Sequence, residues 1–347
     1  MRPCGHFHET YEQDARIFPT PVPRVVLGAF FAAVVTLPLW GSDYAVHLGV
    51  TSAIFVLSAT GLTILSGIAG QLSIGQGATM GVGAYAAAIL GVRFHWPFPL
   101  AVLGGVVITA LAGLVVALPS YRIRGMYLLV STLAAQVLFT FAVVNLPDWT
   151  GGDLGLIVPL PWADSAVHGR AFFWLTLAVA TGGIVYAKNL LRTRVGRALM
   201  SVRDNDLAAS VLGVDVPRYK LLAFVLCSCY AGLAGGLLAY YLGVISYEPF
   251  SITMSVQYIS MILIGGLGSL SGTVLGAIFV GLLPELLSNL ALGARGLAGL
   301  DLTGQLAIIN KGLFGLLIIA FLVGKPEGLS RLWSDTKRYW KLWPFSY

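Results

Sequence analysis

Apolar runs separated by short polar turns make up most of the chain, and about ten of them approach the roughly 20 residues that a helix needs to cross a bilayer. They fall at Val25–Leu39, Ala45–Leu65, Thr79–Val92, Pro99–Leu118, Leu128–Leu146, Ala171–Leu190, Leu221–Gly243, Ile252–Gly266, Thr273–Leu290 and Leu306–Gly324. The pattern predicts an all-α polytopic membrane protein of about ten transmembrane helices. The third and eighth runs are short, and each adjoins a glycine-rich stretch that itself reads as entering the membrane.

The one long polar interruption is Lys188–Lys220. It holds Lys188, Arg192, Arg194, Arg197, Arg203, Arg218 and Lys220, seven of the chain's 21 Lys and Arg, against Asp204, Asp206 and Asp215. Such a cationic excess marks a cytoplasmic loop. Ten spans with an inside amino terminus place Arg2, Arg16 and Arg24, the Arg122–Arg124 turn, this loop, and the tail with Lys325, Arg331, Lys337, Arg338 and Lys341 all on that side. They place Pro147–Arg170, with Asp148, Asp153 and Asp164, outside. Both termini are therefore expected in the cytoplasm, giving a tail at 1–24, a membrane domain at 25–324 that includes the 188–220 loop, and a tail at 325–347. Trp40, Trp96, Trp149, Trp162, Trp333 and Trp340 flank the runs as interfacial anchors do.

Inside the loop two short helices are expected with a sharp joint. Helix formers run from Gly196 to Arg203; Asp204-Asn205-Asp206 then offers side-chain acceptors for the first amides of Leu207–Leu212, and Gly213 suits the left-handed residue that ends a helix. A helix of barely two turns is marginal by itself in water. Leu207, Ala208 and Val211 give it an apolar face, which fits either a groove in a partner protein or the inner leaflet, with the arginines on lipid phosphate.

The resemblance to a family begins at this loop. Ala208-Ala209 followed after three residues by Gly213 resembles the alanine-alanine-glycine loop of binding-protein-dependent ABC transporter permeases, whose short helix seats in a cleft of the cytoplasmic ATPase. The fuller string of Gly196-Arg197-Ala198, Arg203-Asp204-Asn205, Ala208-Ala209, Gly213 and Tyr219-Lys220-Leu221 is similar to the branched-chain amino acid permease subgroup. So are Gly67–Gly75 early and Gly312 through Lys325-Pro326-Glu327-Gly328-Leu329 late. The resemblance implies a permease subunit of an importer in the bacterial inner membrane. Its partners would be two ABC ATPase chains, a second related permease, an extracytoplasmic substrate-binding protein and membrane lipid. It also implies that Gly196, Arg197, Arg203, Asp204, Asn205, Ala208, Ala209 and Gly213 form the coupling loop.

Composition agrees with the pattern. Of 347 residues 57% are hydrophobic and 10% charged, with a mean hydropathy of +0.84, against roughly 25% charged in soluble domains. The net charge of +6 lies in loops and tails at the ends of apolar runs, so it sets topology and does not form a nucleic-acid surface. Met1–Arg24 mixes Glu9, Glu12 and Asp14 with arginines and lacks the apolar core of a secretory signal. Cys4 sits in a polar tail, and Cys227 and Cys229 diverge by about 200° on a helix, so no disulfide framework is expected.

No catalytic pattern emerges. A G-x-x-x-x-G-K-[ST] loop is missing, His6, His8, His47, His95 and His168 lack metal-ligand spacing, and no intramembrane carboxylate pair is present. No cofactor is expected. The best candidate for a translocation path is Gly67–Gly83, whose glycines weaken a continuous helix beside neutral polar groups. Gln71, Ser73, Gly75, Gln76 and Gly77 are the path candidates, and close helix packing is the competing use of the same small residues. Ile264–Gly272 repeats the theme: Gly268-Ser269-Leu270-Ser271 parallels Gly70-Gln71-Leu72-Ser73, either as the trace of an internal duplication or because glycine and serine are frequent at helix junctions. Glu285, after Pro284 at an expected kink, and Lys311, placed to snorkel at the outer end of the last span, are the ionisable groups within spans.

Two other functions stay open. Urea and short-chain amide importers resemble this subgroup closely. An ion-coupled secondary transporter shares the composition, although it would more often carry ionisable groups at broken helices near the midplane.

Overall fold

The computed structural model describes residues 34–118, 126–161 and 165–298, together with positions 312, 315, 316, 319 and 328–330. The expected spans 25–39 and 306–324 lie mostly outside the described residues, as do the Arg122–Arg124 turn, Lys311 and the two tails. Within the described part, helices dominate: α1 (Asp43–Leu62), α2 (Gln76–Arg93), α3 (Phe98–Ala117), α4 (Met126–Asn145), α5 (Ser165–Leu190), α6 (Arg194–Asp204), α7 (Asp206–Val211), α8 (Val216–Leu242), α9 (Ile252–Gly265) and α10 (Leu270–Ala298). A helical stretch at 34–40 precedes α1.

Five of these stretches are long and apolar enough to cross a membrane: Asp43–Ile68, Phe98–Ala117, Tyr127–Asn145, Gly169–Leu190 and Val216–Leu242. The solvent for such helices must be lipid, because their outward faces are as apolar as their inward ones. Leu103, Val107 and Leu111 of α3 and Val137, Leu138 and Phe141 of α4 are all exposed, where a water-soluble helix would carry charge. The chain is an all-α membrane protein. Helices α9 and α10 up to Pro284 are shorter apolar segments, of which the sequence indicates only the first. Helix α10 runs on through Pro284, and nothing is described of the Glu285 side chain.

Helix α8 is the hub, packing along α2, α3 and α1, while α1 also meets α5 and α10, and α9 pairs with α10. Between apolar helices in lipid, close approach through small residues supplies the contact. A Cβ on Gly83 would lie 2.4 Å from the Cα of Gly232, and one on Gly235 would lie 2.0 Å from the Met80 carbonyl oxygen. Backbone therefore meets backbone where α2 and α8 cross, and neither position has room for a methyl group.

At one end of the bundle the 146–161 connection folds back on the end of α8. Leu156 and Ile157 pair antiparallel with Ile245 and Val244, a two-stranded sheet that the sequence reading did not anticipate. Two residues on each side are too few to leave a periodic signal. The Arg93 guanidinium stacks 4.7 Å from the Trp149 ring and ties this connection to α2. Trp40, Trp96 and Trp149 are exposed near helix ends, in keeping with interfacial anchoring.

Candidate functional site

The opposite end of the bundle gathers the polar motifs. Helix α1 does not stop at Leu62 but widens into a π-helical turn, Thr63–Ile68, and the chain then runs unwound from Ala69 to Gly75 before α2 begins at Gln76. Gly70 makes the reversal at φ 70°. Buried non-helical backbone must find partners within the protein, and here side chains of other helices supply them. Thr132 Oγ1 of α4 accepts from the Ile74 amide at 3.1 Å, Ser255 Oγ of α9 accepts from the Gly77 amide at 2.8 Å, and Gln136 Oε1 of α4 accepts from the Ala78 amide at 2.7 Å. Gln136 is anchored in turn, donating from Nε2 to the Phe250 carbonyl at 2.6 Å and accepting from Ser255 Oγ at 3.1 Å. The first turn of α2 is thus capped from α4 and α9. Gln136, Thr132 and Ser255 were not among the candidates from sequence, since nothing local distinguishes a bracing glutamine or serine from any other in a span.

The five path candidates fall into different environments. Gln76 is 1% exposed, donates from Nε2 to Ser58 Oγ at 2.9 Å and accepts at Oε1 from Cys227 Sγ at 3.3 Å, so its amide is engaged within the chain. Gly75 and Gly77 are tightly enclosed: a Cβ would lie 2.9 Å from the Thr132 carbonyl oxygen at the first and 2.9 Å from both Ser251 O and Ser255 Oγ at the second. Ser73, also buried, accepts from the Gly75 amide at 3.3 Å. Gln71 stands apart. It is 5% exposed, and neither its side-chain oxygen nor its nitrogen has a hydrogen-bond partner among the described residues. Leaving a buried amide unsatisfied costs about 1–3 kcal/mol per group.

The second break lies between α9 and α10 and touches the first. Gly266 and Gly268 have φ of 109° and 82°. A Cβ on Gly67 would meet the Gly268 nitrogen at 2.6 Å, and Thr63 Oγ1 and Thr273 Oγ1 share a hydrogen bond of 2.6 Å across the two strands of chain. Ser269 and Ser271 hydrogen-bond each other at 3.2 Å, and Ser269 Oγ accepts from the Gly272 amide. From the far end of the sequence, Gly328 packs its backbone against Gly266, where a Cβ would lie 2.5 Å from the amide nitrogen.

The polar loop forms the outer layer of this end. Helix α6 starts at a Thr193 cap, its hydroxyl accepting from the Gly196 amide, and buries Gly196, Leu199 and Val202. Gly196 sits so close to the end of α5 that a Cβ would lie 2.3 Å from the Leu190 carbonyl oxygen. Of the three acceptors expected at the joint, Asn205 does the capping: its Oδ1 accepts from the Leu207 and Ala208 amides at 3.0 and 3.1 Å. Asp206 instead pairs with Lys220 of α8 at 2.5 Å. Ala209 is buried against Val202 and Val216, and Gly213 closes α7 at φ 85° with no described residue near its missing Cβ. Leu207, Ala208, Val211 and Leu212 are exposed, as are Arg197 and Asp204. Arg203 is exposed as well, but the head of its side chain reaches back onto the bundle. Its Nη1 donates to the Gly67 carbonyl at 2.7 Å, which joins the loop to the first break.

The three segments that carry the sequence resemblance therefore meet: Gly67–Gly75, the Gly196–Gly213 loop, and Gly328 with Leu329, which packs on the core. Residues 44–322 match the family model for the branched-chain amino acid transport system permease component. Among curated proteins, the chain is 25% identical to the high-affinity branched-chain amino acid transport system permease protein LivM of Salmonella typhimurium, over 88% of this chain and 74% of that protein. It is 26% identical to LivM of Escherichia coli K12 over the same shares. It is also 26% identical to the permease protein LivH of Escherichia coli K12, over 80% of this chain and 94% of LivH.

Proposed function

The chain belongs to the branched-chain amino acid transport permease family, and from that premise we propose that it is the membrane-spanning permease subunit of an ABC importer for branched-chain amino acids in a bacterial inner membrane. Similarity to both LivM and LivH supports a pairing with a second, related permease. Two ATPase chains and an extracytoplasmic binding protein complete the assembly, and ATP is hydrolysed by those partners. The chain crosses the membrane about ten times with both termini in the cytoplasm, as the distribution of loop cations supports, and its domains are the two tails flanking residues 25–324.

The observation that carries the coupling role is α7 itself. Six residues cannot hold a helix in water through their own hydrogen bonds, yet α7 is capped by Asn205, closed by Gly213, and turns Leu207, Ala208, Val211 and Leu212 outward. That apolar face suits a cleft in an ATPase subunit. Gly196, Arg197 and Asp204 complete the loop around it. The path runs past the first break, where Gln71 offers an amide without a partner among the described residues and Ser73 a hydroxyl, while Gly75, Gln76 and Gly77 hold the break in shape. A few neutral polar groups suffice if selection among substrates rests with the binding protein.

Co-purification of the tagged permease from its native membrane, followed by ligand screening of the binding protein that accompanies it, tests this reading. Recovery of ATPase chains together with a binding protein that takes leucine, isoleucine or valine supports it. A binding protein selective for urea or a short amide would replace the substrate assignment, and isolation without any ATPase chain would remove the importer reading in favour of an ion-coupled carrier.

A further inference from the structure

Arg203 lies where three separate parts of the chain converge. Its guanidinium donates to the Gly67 carbonyl in the π-turn at 2.7 Å. Gly70 faces its stem, since a Cβ there would lie 3.0 Å from Arg203 Cγ and 3.3 Å from its Cα. Gly268 of the second break faces its head, where a Cβ would lie 3.0 Å from Nη1 and 3.0 Å from the Gly67 oxygen. Three glycines thus bring bare backbone against one side of this cation, although Arg203 as a whole is exposed. The electrostatics agree: Gly67 is in the last turn of the α1 helical run, where carbonyls without intrahelical partners accumulate partial negative charge.

The other end of the connection is equally fixed. Arg203 is one residue from the end of α6, which is anchored by Leu199 in the main core. Val202 beside it packs with Ala209 of α7 and Val216 of α8, and Asn205 caps α7 directly after. A displacement of α7 therefore has a short, packed route to Arg203, and from Arg203 to both breaks at once. We propose that Arg203 is the positioning residue through which movement of the α6–α7 loop reaches the two broken segments, acting inside the permease and not on the ATPase surface. This rests on the coupling role proposed above for the loop.

The test uses the complete transporter, reconstituted with its ATPase and binding-protein subunits, and reads uptake per ATP hydrolysed in Arg203→Gln, Arg203→Lys and the unaltered protein. For Arg203→Gln the ATPase subunits stay bound and ATP turnover continues, while uptake per ATP falls by about tenfold, within the range expected for a residue on a coupling route. Arg203→Lys keeps a cation that reaches the Gly67 carbonyl but lacks the planar fork, so its ratio falls between the two, about two- to fivefold below the unaltered protein. An unchanged ratio in Arg203→Gln overturns the proposal. So does a proportional fall of uptake and ATP turnover, which marks a merely structural residue, or loss of the ATPase subunits, which marks a surface contact. If Arg203→Gln fails to reach the membrane, Arg203→Lys decides: a lowered ratio with ATPase retained supports the proposal, and the unaltered ratio overturns it. If the unaltered complex itself shows no ATP-dependent uptake, the importer reading fails, and that outcome is distinct from all of these.

Discussion

Gly77 sits at the first turn of α2 with Ser251 O, Ser255 Oγ and Gln136 Oε1 closing around the place of a side chain, at 2.9, 2.9 and 3.2 Å. A single methyl group there must displace the bonds that brace the break, so Gly77→Ala should lower stability by about 1–3 kcal/mol, the range for overpacking. Gly182 on α5 has nothing within 4 Å among the described residues, and Gly182→Ala should be silent in the same assay. Thermal denaturation of the two detergent-solubilised variants compares them, and equal midpoints would show that the break is not tightly packed. Gln136→Leu tests the brace from the other side. It removes the acceptor for the Ala78 amide and the donor to Phe250 O, leaving buried backbone groups unsatisfied at about 1–3 kcal/mol each. A variant as stable as the unaltered protein would mean that the Ala78 amide and the Phe250 carbonyl find other partners.

At the scale of elements, α7 makes a sharper prediction, because its exposed face and its buried face differ by one residue. Ala208 is exposed and Ala209 is buried against Val202 and Val216. Ala208→Glu should leave the permease folded and in the membrane but reduce recovery of ATPase subunits in a pull-down at equal membrane abundance, since a charge would enter an apolar contact. Gly213→Val acts through the backbone: its φ of 85° with open space around it means that strain alone, about 1–2 kcal/mol, disturbs the end of α7. Full ATPase recovery from both variants would leave α7 without a docking role. Much of this element was legible in the chain, because caps and helix ends are local: Asn205, Gly213 and the apolar residues between them are contiguous. Arg203 was not. As one arginine in a cationic loop it reads as a surface charge, and only the folded chain brings Gly67, 136 residues away in sequence, to its guanidinium at 2.7 Å. The bracing by Thr132, Gln136 and Ser255 was hidden for the same reason, and so was the difference between Gln71 and Gln76, two glutamines five residues apart of which only the second has a side-chain hydrogen bond among the described residues. Five of the expected spans, the second and the fourth to seventh, followed from hydrophobicity with little tertiary help, because a bilayer-crossing helix is specified by its own length and composition.

At the scale of the whole molecule, the two ends of the bundle carry different chemistry. One has the short sheet of Leu156–Ile157 with Val244–Ile245, and the other has the breaks, the cationic loop and Gly328. Cysteines placed at Asp153 and Ser201, in a chain lacking the three native cysteines, should label from opposite faces of sealed cells, and labelling of both from outside would contradict the proposed topology. As proposed above, this chain converts ATP turnover by partner subunits into inward movement of a branched-chain amino acid. Leucine uptake is measured in proteoliposomes holding the co-purified complex, with binding protein on the substrate side and ATP on the ATPase side. Uptake should require both ATP and binding protein and should be lost in Ala208→Glu. Uptake that proceeds without ATP, driven by an ion gradient alone, or that is undiminished in Ala208→Glu, would contradict this proposal.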